Sequence, residues 1–207
     1  MTGIRILDVG CWDGAFLASC PSSWVRHGVE PNKQAAVLAR ERGLDVFSET
    51  FEMAQLMNES YNVVVMLDVL EHLPHPLSAL RKVSEILTSD GYLFGLTGSS
   101  NSRGARIFRG CWYYYNYPEH VTFFSPFSVK VAIESLGMKV KAVKKYRPHG
   151  SSLVQTGKKI KNLLLNTQEK KAPHLPVPVR KQDMIKLGIS RLFRGRNHMI
   201  IVAQKGK

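Results

Sequence analysis

The run Asp8-Val9-Gly10-Cys11-Trp12-Asp13-Gly14 places an acid and two glycines directly after an apolar stretch. Glycine carries no Cβ, so a turn of this composition lets the backbone approach a bound molecule closely. Glu30 stands 20 residues beyond Gly10, at the end of a second apolar stretch. A carboxylate at that distance can accept hydrogen bonds from both hydroxyls of a ribose. A dinucleotide turn needs Gly-x-Gly-x-x-Gly, but position 12 is tryptophan and position 15 alanine. The remaining Gly-x-x-x-Gly spacing makes a wide turn with no cradle for a pyrophosphate. It suits a nucleoside ligand that carries no phosphate.

Two histidines could move protons. His72 follows the apolar run Tyr61–Leu67 closely, and His120 lies in an aromatic-rich stretch further on. Each has the ordinary alternative of a structural histidine bonded to backbone. Glu71 and His72 could also be read as a metal pair. Adjacent residues on a helix face different directions, however, and no third ligand is evident from spacing, so no metal is expected. The cluster Trp112-Tyr-Tyr-Tyr-Asn-Tyr117 could form an aromatic wall for a substrate or cover the edge of the sheet. Cys11, Cys20 and Cys111 form no CxxC pair, which argues against a zinc site and a secreted disulfide framework.

The elements that must hold these residues alternate. Strands are expected at Ile4–Val9, Trp24–Val29, Leu44–Phe47, Tyr61–Leu67 and Tyr92–Thr97. Helices are expected at Asn32–Arg42, capped by Asn32 and stopped by Gly43, and at Pro76–Leu87. Such alternation implies an α/β fold with right-handed crossovers and a doubly wound, mainly parallel sheet. Gly98–His120 reads as irregular. A helix follows at Ser125–Leu136, then strands at Lys139–Tyr146 and His198–Gln204. The glycine turn and Glu30 then share the carboxyl end of the sheet, where such folds bind ligands. The wide turn at that end fits a phosphate-free cofactor such as S-adenosyl-L-methionine better than a nicotinamide.

The chain has 207 residues, and 44% are apolar, enough to bury a core in one domain with an elaboration. Its net charge of +13 is unevenly spread. Residues 1–129 hold 10 basic against 13 acidic side chains, and residues 130–207 hold 19 against 3, so the excess lies wholly in the last third. That block could meet phosphates, anionic lipid or nucleic acid, or simply solvate the surface. It includes basic, amphipathic segments at Leu153–Leu165 and Ile185–Phe193, separated by Pro173–Pro178. The apolar run Tyr61–Leu73 carries Asp68, Glu71 and His72 and falls short of the ~20 residues that span a bilayer. With no signal-like amino terminus, the expected location is cytoplasmic, with peripheral contact to an anionic membrane surface through residues 151–196.

Four stretches together resemble a known family. They are Ile6-Leu-Asp-Val-Gly-Cys-Trp-Asp-Gly-Ala-Phe-Leu17, Gly28-Val-Glu-Pro31, Tyr61-Asn-Val-Val-Val-Met-Leu-Asp-Val-Leu-Glu-His-Leu73 and Leu87-Thr-Ser-Asp-Gly-Tyr-Leu93. Tyr117-Pro-Glu-His-Val-Thr-Phe-Phe-Ser-Pro126 adds a fifth. Over about residues 4–145 the chain resembles class I S-adenosylmethionine-dependent methyltransferases. It is most similar to the small-molecule group that includes ubiquinone-biosynthesis O-methyltransferases and enzymes of surface-polysaccharide clusters. The resemblance implies a Rossmann-like, seven-stranded sheet with helices on both faces and its last strand antiparallel. It divides the chain into a cofactor-binding core at 1–150, a basic helical insertion or cap at 151–196 and a final strand with tail at 197–207.

By the same resemblance, Asp8, Gly10, Cys11, Trp12 and Gly14 would hold the methionine moiety, with Asp8 near its ammonium. Glu30 would take the ribose, with Pro31 beside it. Thr50 and Phe51 would flank the adenine, and Asp68 and Val69 would line the sulfonium region. The activity implied is methyl transfer to a small-molecule acceptor, with oxygen as the expected atom and a lipid- or sugar-linked compound as one option. His120 and His72 are the candidate bases, and Trp112, Tyr115 and Tyr117 the candidate acceptor wall. A non-catalytic module that binds nucleic acid or an anionic surface through its basic third is the alternative. Against nucleic acid, the basic third shows no helix-turn-helix or RNA-recognition signature. The expected assembly is a monomer or homodimer. Two departures stand out: the family's usual middle glycine is Trp12, and the helices that normally precede the first strand and roof the cofactor do not precede this one.

Overall fold

The computed structural model describes residues 3–112, 114, 115, 117–146 and 198–206. The two basic segments expected within 151–196 lie outside the described residues. Strands β1 (Arg5–Val9), β2 (Val25–Val29), β3 (Asp45–Phe47), β4 (Tyr61–Leu67), β5 (Leu87–Gly98), β6 (Met138–Tyr146) and β7 (His198–Lys205) form one sheet in the order β3-β2-β1-β4-β5-β7-β6. The first five run parallel, and β7 is antiparallel to both β5 and β6. Strand order reverses between β1 and β4, the point at which sheets of this kind form a ligand crevice outside the carboxyl ends of their strands.

Alternation along each strand divides the core between two faces. Ile6, Val63, Val65, Phe94 and Val202 pack under α1 (Ala15–Ala18) and α2 (Lys33–Glu41) through Phe16, Leu17, Ala36 and Ala39. Leu7, Val9, Val64, Met66 and Leu93 pack under α3 (Pro76–Ile86) and α5 (Pro126–Glu134) through Leu80, Val83, Val129 and Ile133. Each such large side chain contributes about 1.5–3 kcal/mol on burial. Strands buried on both faces need the unbroken apolar run seen in Val63–Leu67.

Helix ends follow local chemistry. The Asn32 side chain accepts from the backbone N–H of Gln34 and Ala35, and α2 ends before Gly43 at φ 75°. Ser125 and Ser128 form a reciprocal cap on α5, with Pro126 in its first turn.

Two elements differ from expectation. β5 begins at Leu87, directly after α3, rather than at Tyr92. Leu87 pairs with Tyr61, and the Asp90-Gly91 turn is absorbed as an irregularity before Tyr92 pairs with Val63. The stretch Gly98–His120 is not wholly irregular, because it contains α4 (Arg103–Phe108), whose cap is the Ser102 hydroxyl accepting from Ala105 N–H. Among the described residues, no helix is long and apolar enough to cross a membrane.

Candidate active site

The glycine turn leaves β1 at the reversal point. Gly10 has φ 71°, and a Cβ there would lie 2.8 Å from Val69 Cγ2, so only glycine lets the tips of β1 and β4 close on each other. Gly14 serves packing instead: a Cβ would meet Leu44 at 2.3 Å and Ala39 at 2.9 Å. Between them, Gly10 and Cys11 both donate to the carbonyl of Val29. The turn is thereby tied to the end of β2.

Glu30 sits at that end and is only 5% exposed. Its carboxylate accepts from Trp12 N–H at 2.9 Å and from Asn32 N–H at 2.8 Å. It clamps the turn and retains lone pairs for further donors. Trp12 stands at φ 50° and is 58% exposed. Asp13 pairs with Arg42 at 2.7 Å and belongs to the surface.

Asp8, 3% exposed, carries an Oδ1 with no hydrogen-bond partner. Burial above all, and then the nearby Glu30 charge, hold its pKa well above the usual carboxylate range. Such a group is costly unless a cation meets it. Three further buried polar atoms without hydrogen-bond partners lie at the same end of the sheet: Asp68 Oδ1, Ser99 Oγ and His198 Nδ1. Orphan polar atoms are uncommon inside proteins, and a group of them at strand tips marks a place for a polar ligand. The residues present fit an amino-acid-bearing nucleoside: an unpaired acid for an ammonium, a tight glycine turn and a second acid at ribose distance in sequence.

The tip of β4 adds a second layer. Asp68 takes φ 53°, and its N–H donates to Leu96. Glu71, 1% exposed in the 3-10 turn Leu70–His72, accepts from Thr97 Oγ1 at 2.8 Å and from the Tyr114 hydroxyl. Its carbonyl accepts from Val121 and Thr122, so it anchors the aromatic loop to the sheet. His72 and His120 meet edge to face with ring centroids 4.7 Å apart. Their Nδ1 atoms lie 2.7 Å from the carbonyls of Glu119 and Tyr114 respectively.

Residues 1–143 match the model of the methyltransferase-domain family. The chain belongs to that family. Its class is class I, and the cofactor that this membership and fold carry is S-adenosyl-L-methionine. Among curated relatives, it is 34% identical over 107 residues to a ubiquinone biosynthesis O-methyltransferase of Yersinia enterocolitica, covering 48% of this chain and 44% of that one. Against the Photobacterium profundum enzyme of the same name it is 32% identical over 109 residues, covering 49% and 46%. The aligned part thus spans less than half the length of those relatives. Among solved structures, the chain resembles a possible histamine N-methyltransferase of Thermotoga maritima (TM-score 0.61, 22% identity, 97% and 82% of the chains covered). It also resembles an S-adenosylmethionine-dependent methyltransferase of Archaeoglobus fulgidus (TM-score 0.64, 20% identity, 98% and 86% covered).

Within this methyltransferase domain the sequence candidates scatter. Asp8, Gly10, Asp68 and Val69 converge on the crevice between the tips of β1 and β4, with Glu30 adjoining on β2. Cys11 turns back toward β2, where a Cβ on Gly28 would meet its Sγ at 2.5 Å, and burial with the neighbouring acids pushes its thiol up to about 12. Its side chain packs in the core cluster beneath α1 and α2. Phe51 is a core residue beneath the Lys82 ammonium, which bonds to the carbonyls of Phe51, Glu52 and Ala54, so its ring is not presented to an adenine. Pro31 and Thr50 are exposed.

The proposed aromatic wall divides as well. Trp112 is buried in a small cluster with Ala105 and Tyr114, Tyr115 is half-buried against Phe123, and Tyr117 is 81% exposed. The expectation that no third donor stands near Glu71 and His72 is corrected. His120 joins them, with one donor atom of each residue within 4.8 Å of the others, a spacing that could hold a cation. A cavity of about 560 Å³ beside Leu56, Arg81 and Glu85 lies at the opposite end of β4 from this crevice.

Proposed function

We propose that this chain methylates a hydroxyl of a small molecule, with S-adenosyl-L-methionine as methyl donor. The observation that carries the reading is the buried, unpartnered Asp8 carboxylate beneath the Gly10 turn, with Glu30 at the next strand tip. Asp8 would hold the ammonium, Glu30 the ribose hydroxyls, and Gly10 the backbone's close approach. When bound, the cofactor supplies an activated methyl group, so the chain's main task is to hold an acceptor close and in line. Oxygen as the methylated atom is supported by the O-methyltransferases among its relatives. The half-buried Tyr115–Phe123 pair, 4.5 Å between ring centroids, supports an acceptor with an apolar or aromatic body.

Calorimetry with S-adenosylmethionine, S-adenosylhomocysteine and NAD tests the cofactor. Binding of the first two and not the third is expected, and absence of affinity for both would end the reading. Asp8→Asn should weaken S-adenosylhomocysteine binding by about tenfold or more while leaving the fold at least as stable, because a buried unpaired charge is removed. The same proposal includes contact of the basic last third with an anionic membrane. Flotation with anionic liposomes should show binding that falls as salt rises.

A further inference from the structure

We propose that Asp68 and His198 form the proton-accepting pair for the hydroxyl that is methylated; this rests on the methyltransferase reading above. His198 begins β7, and its backbone pairs with Gly98 at the end of β5. That register brings its Nε2 to 3.9 Å from Asp68 Oδ1 at the tip of β4. Both side chains are largely buried, and Asp68 Oδ1 and His198 Nδ1 lack hydrogen-bond partners. A structural Asp–His pair would satisfy these atoms internally; here both are buried with their hydrogen-bonding capacity unmet.

Three histidines stand at this end of the sheet, and their backing differs. His72 and His120 each rest Nδ1 on a neutral backbone carbonyl. The carboxylate near them, Glu71, already accepts from Thr97 and Tyr114, whereas His198 stands beside Asp68, whose Oδ1 has no hydrogen-bond partner. A carboxylate behind an imidazole stabilises the imidazolium that forms when a proton is taken. The step then balances. The acceptor oxygen forms its bond to the methyl carbon, and the carbon–sulfur bond breaks with its electron pair left on sulfur. The hydroxyl proton passes to His198, whose charge Asp68 offsets.

The charged and titratable groups that act on the pair are Glu71 from the 3-10 turn and Tyr114 and His120 from the aromatic loop. Burial, and secondarily Glu71, push the Asp68 carboxyl up to about 7. Burial lowers His198, with Glu71 opposing and His120 adding to the decrease. The Asp68 carboxyl is thus poised near neutrality beside an imidazole that burial makes less basic.

Histidine ring NMR across pH tests the proposal, with the His198 resonance assigned from His198→Gln. In wild type, His198 should report a step near neutrality that Asp68→Asn removes, its remaining midpoint falling by about 1 pH unit as the anionic neighbour is lost. His120→Gln should leave that step in place. Sinefungin, which carries an amine where the donor has its sulfonium, should lower the step by about half a pH unit or more relative to S-adenosylhomocysteine. Identical titrations in wild type and Asp68→Asn, or no response to the added amine despite binding, would overturn the pair. If neither nucleoside binds, the cofactor reading fails, while the effect of Asp68→Asn on the free protein still decides whether the two groups share a proton.

Discussion

Trp12 pays for its position in backbone strain. A left-handed conformation costs a residue with a Cβ about 1 kcal/mol, and the exposed indole recovers little by burial. Trp12→Gly should therefore raise the unfolding free energy by about 0.5–1 kcal/mol, measured by urea denaturation at constant slope. The Trp12 N–H bond to Glu30 is backbone and survives the change. A lower midpoint would mean that the indole makes a contact worth more than the strain. Asp8 and Gly10 were readable from their neighbours in the chain, because an acid and a turn after a buried strand are local features. His198 was not, since its partner Asp68 lies 130 positions earlier and only the insertion of β7 beside β5 joins them.

At the scale of elements, one buried carboxylate is a central anchor of the aromatic loop. Tyr114 donates to Glu71 and receives the N–H of Gly98, so the hydroxyl joins the loop to β5 and to the 3-10 turn. Tyr114→Phe leaves the Gly98 N–H and one Glu71 oxygen without this partner. It should cost about 1–3 kcal/mol in the denaturation midpoint, with the larger figure for the charged group. A loss below 0.5 kcal/mol, on the order of ordinary surface substitutions, would mean that water replaces the hydroxyl.

Periodicity located β4, α3 and the caps of α2 and α5, because burial and capping act within one element. It missed α4 and the anchoring role of Glu71. The aromatic residues of 112–117 conceal which of them is core, and Thr97 and Tyr114 reach Glu71 from 26 and 43 positions away. A third donor beside Glu71 and His72 was hidden in the same way, since His120 arrives through the loop that Glu71 anchors.

Across the whole molecule, the buried acids set how stability responds to pH. Asp8 and Asp68 hold their protons more tightly folded than unfolded, so their contribution is complete below about pH 4 and is lost as pH rises through their folded values. His27 and His198 are lowered by burial, so their contribution is complete above about pH 6.5 and is lost on acidification. Above pH 6.5 the histidines are neutral in both states, and the carboxyls dominate. The thermal midpoint of the free protein should decline between about pH 6.5 and 8.5, and Asp68→Asn should flatten the decline. An unchanged slope in that variant would place the titrating group elsewhere.

The strand order carries one more consequence, for the time at which the molecule becomes complete. Among the described residues β6 pairs with no strand but β7, and β7 lies between it and β5. During synthesis, therefore, β1 to β5 can assemble from sequentially adjacent units, while Met138–Tyr146 waits without a neighbour until residues 198–205 emerge. Until then β5 presents an open parallel edge, the kind of surface on which nascent chains associate wrongly. Closure and the delivery of His198 to Asp68 are one event, so a half-made chain is sticky and still lacks that contact.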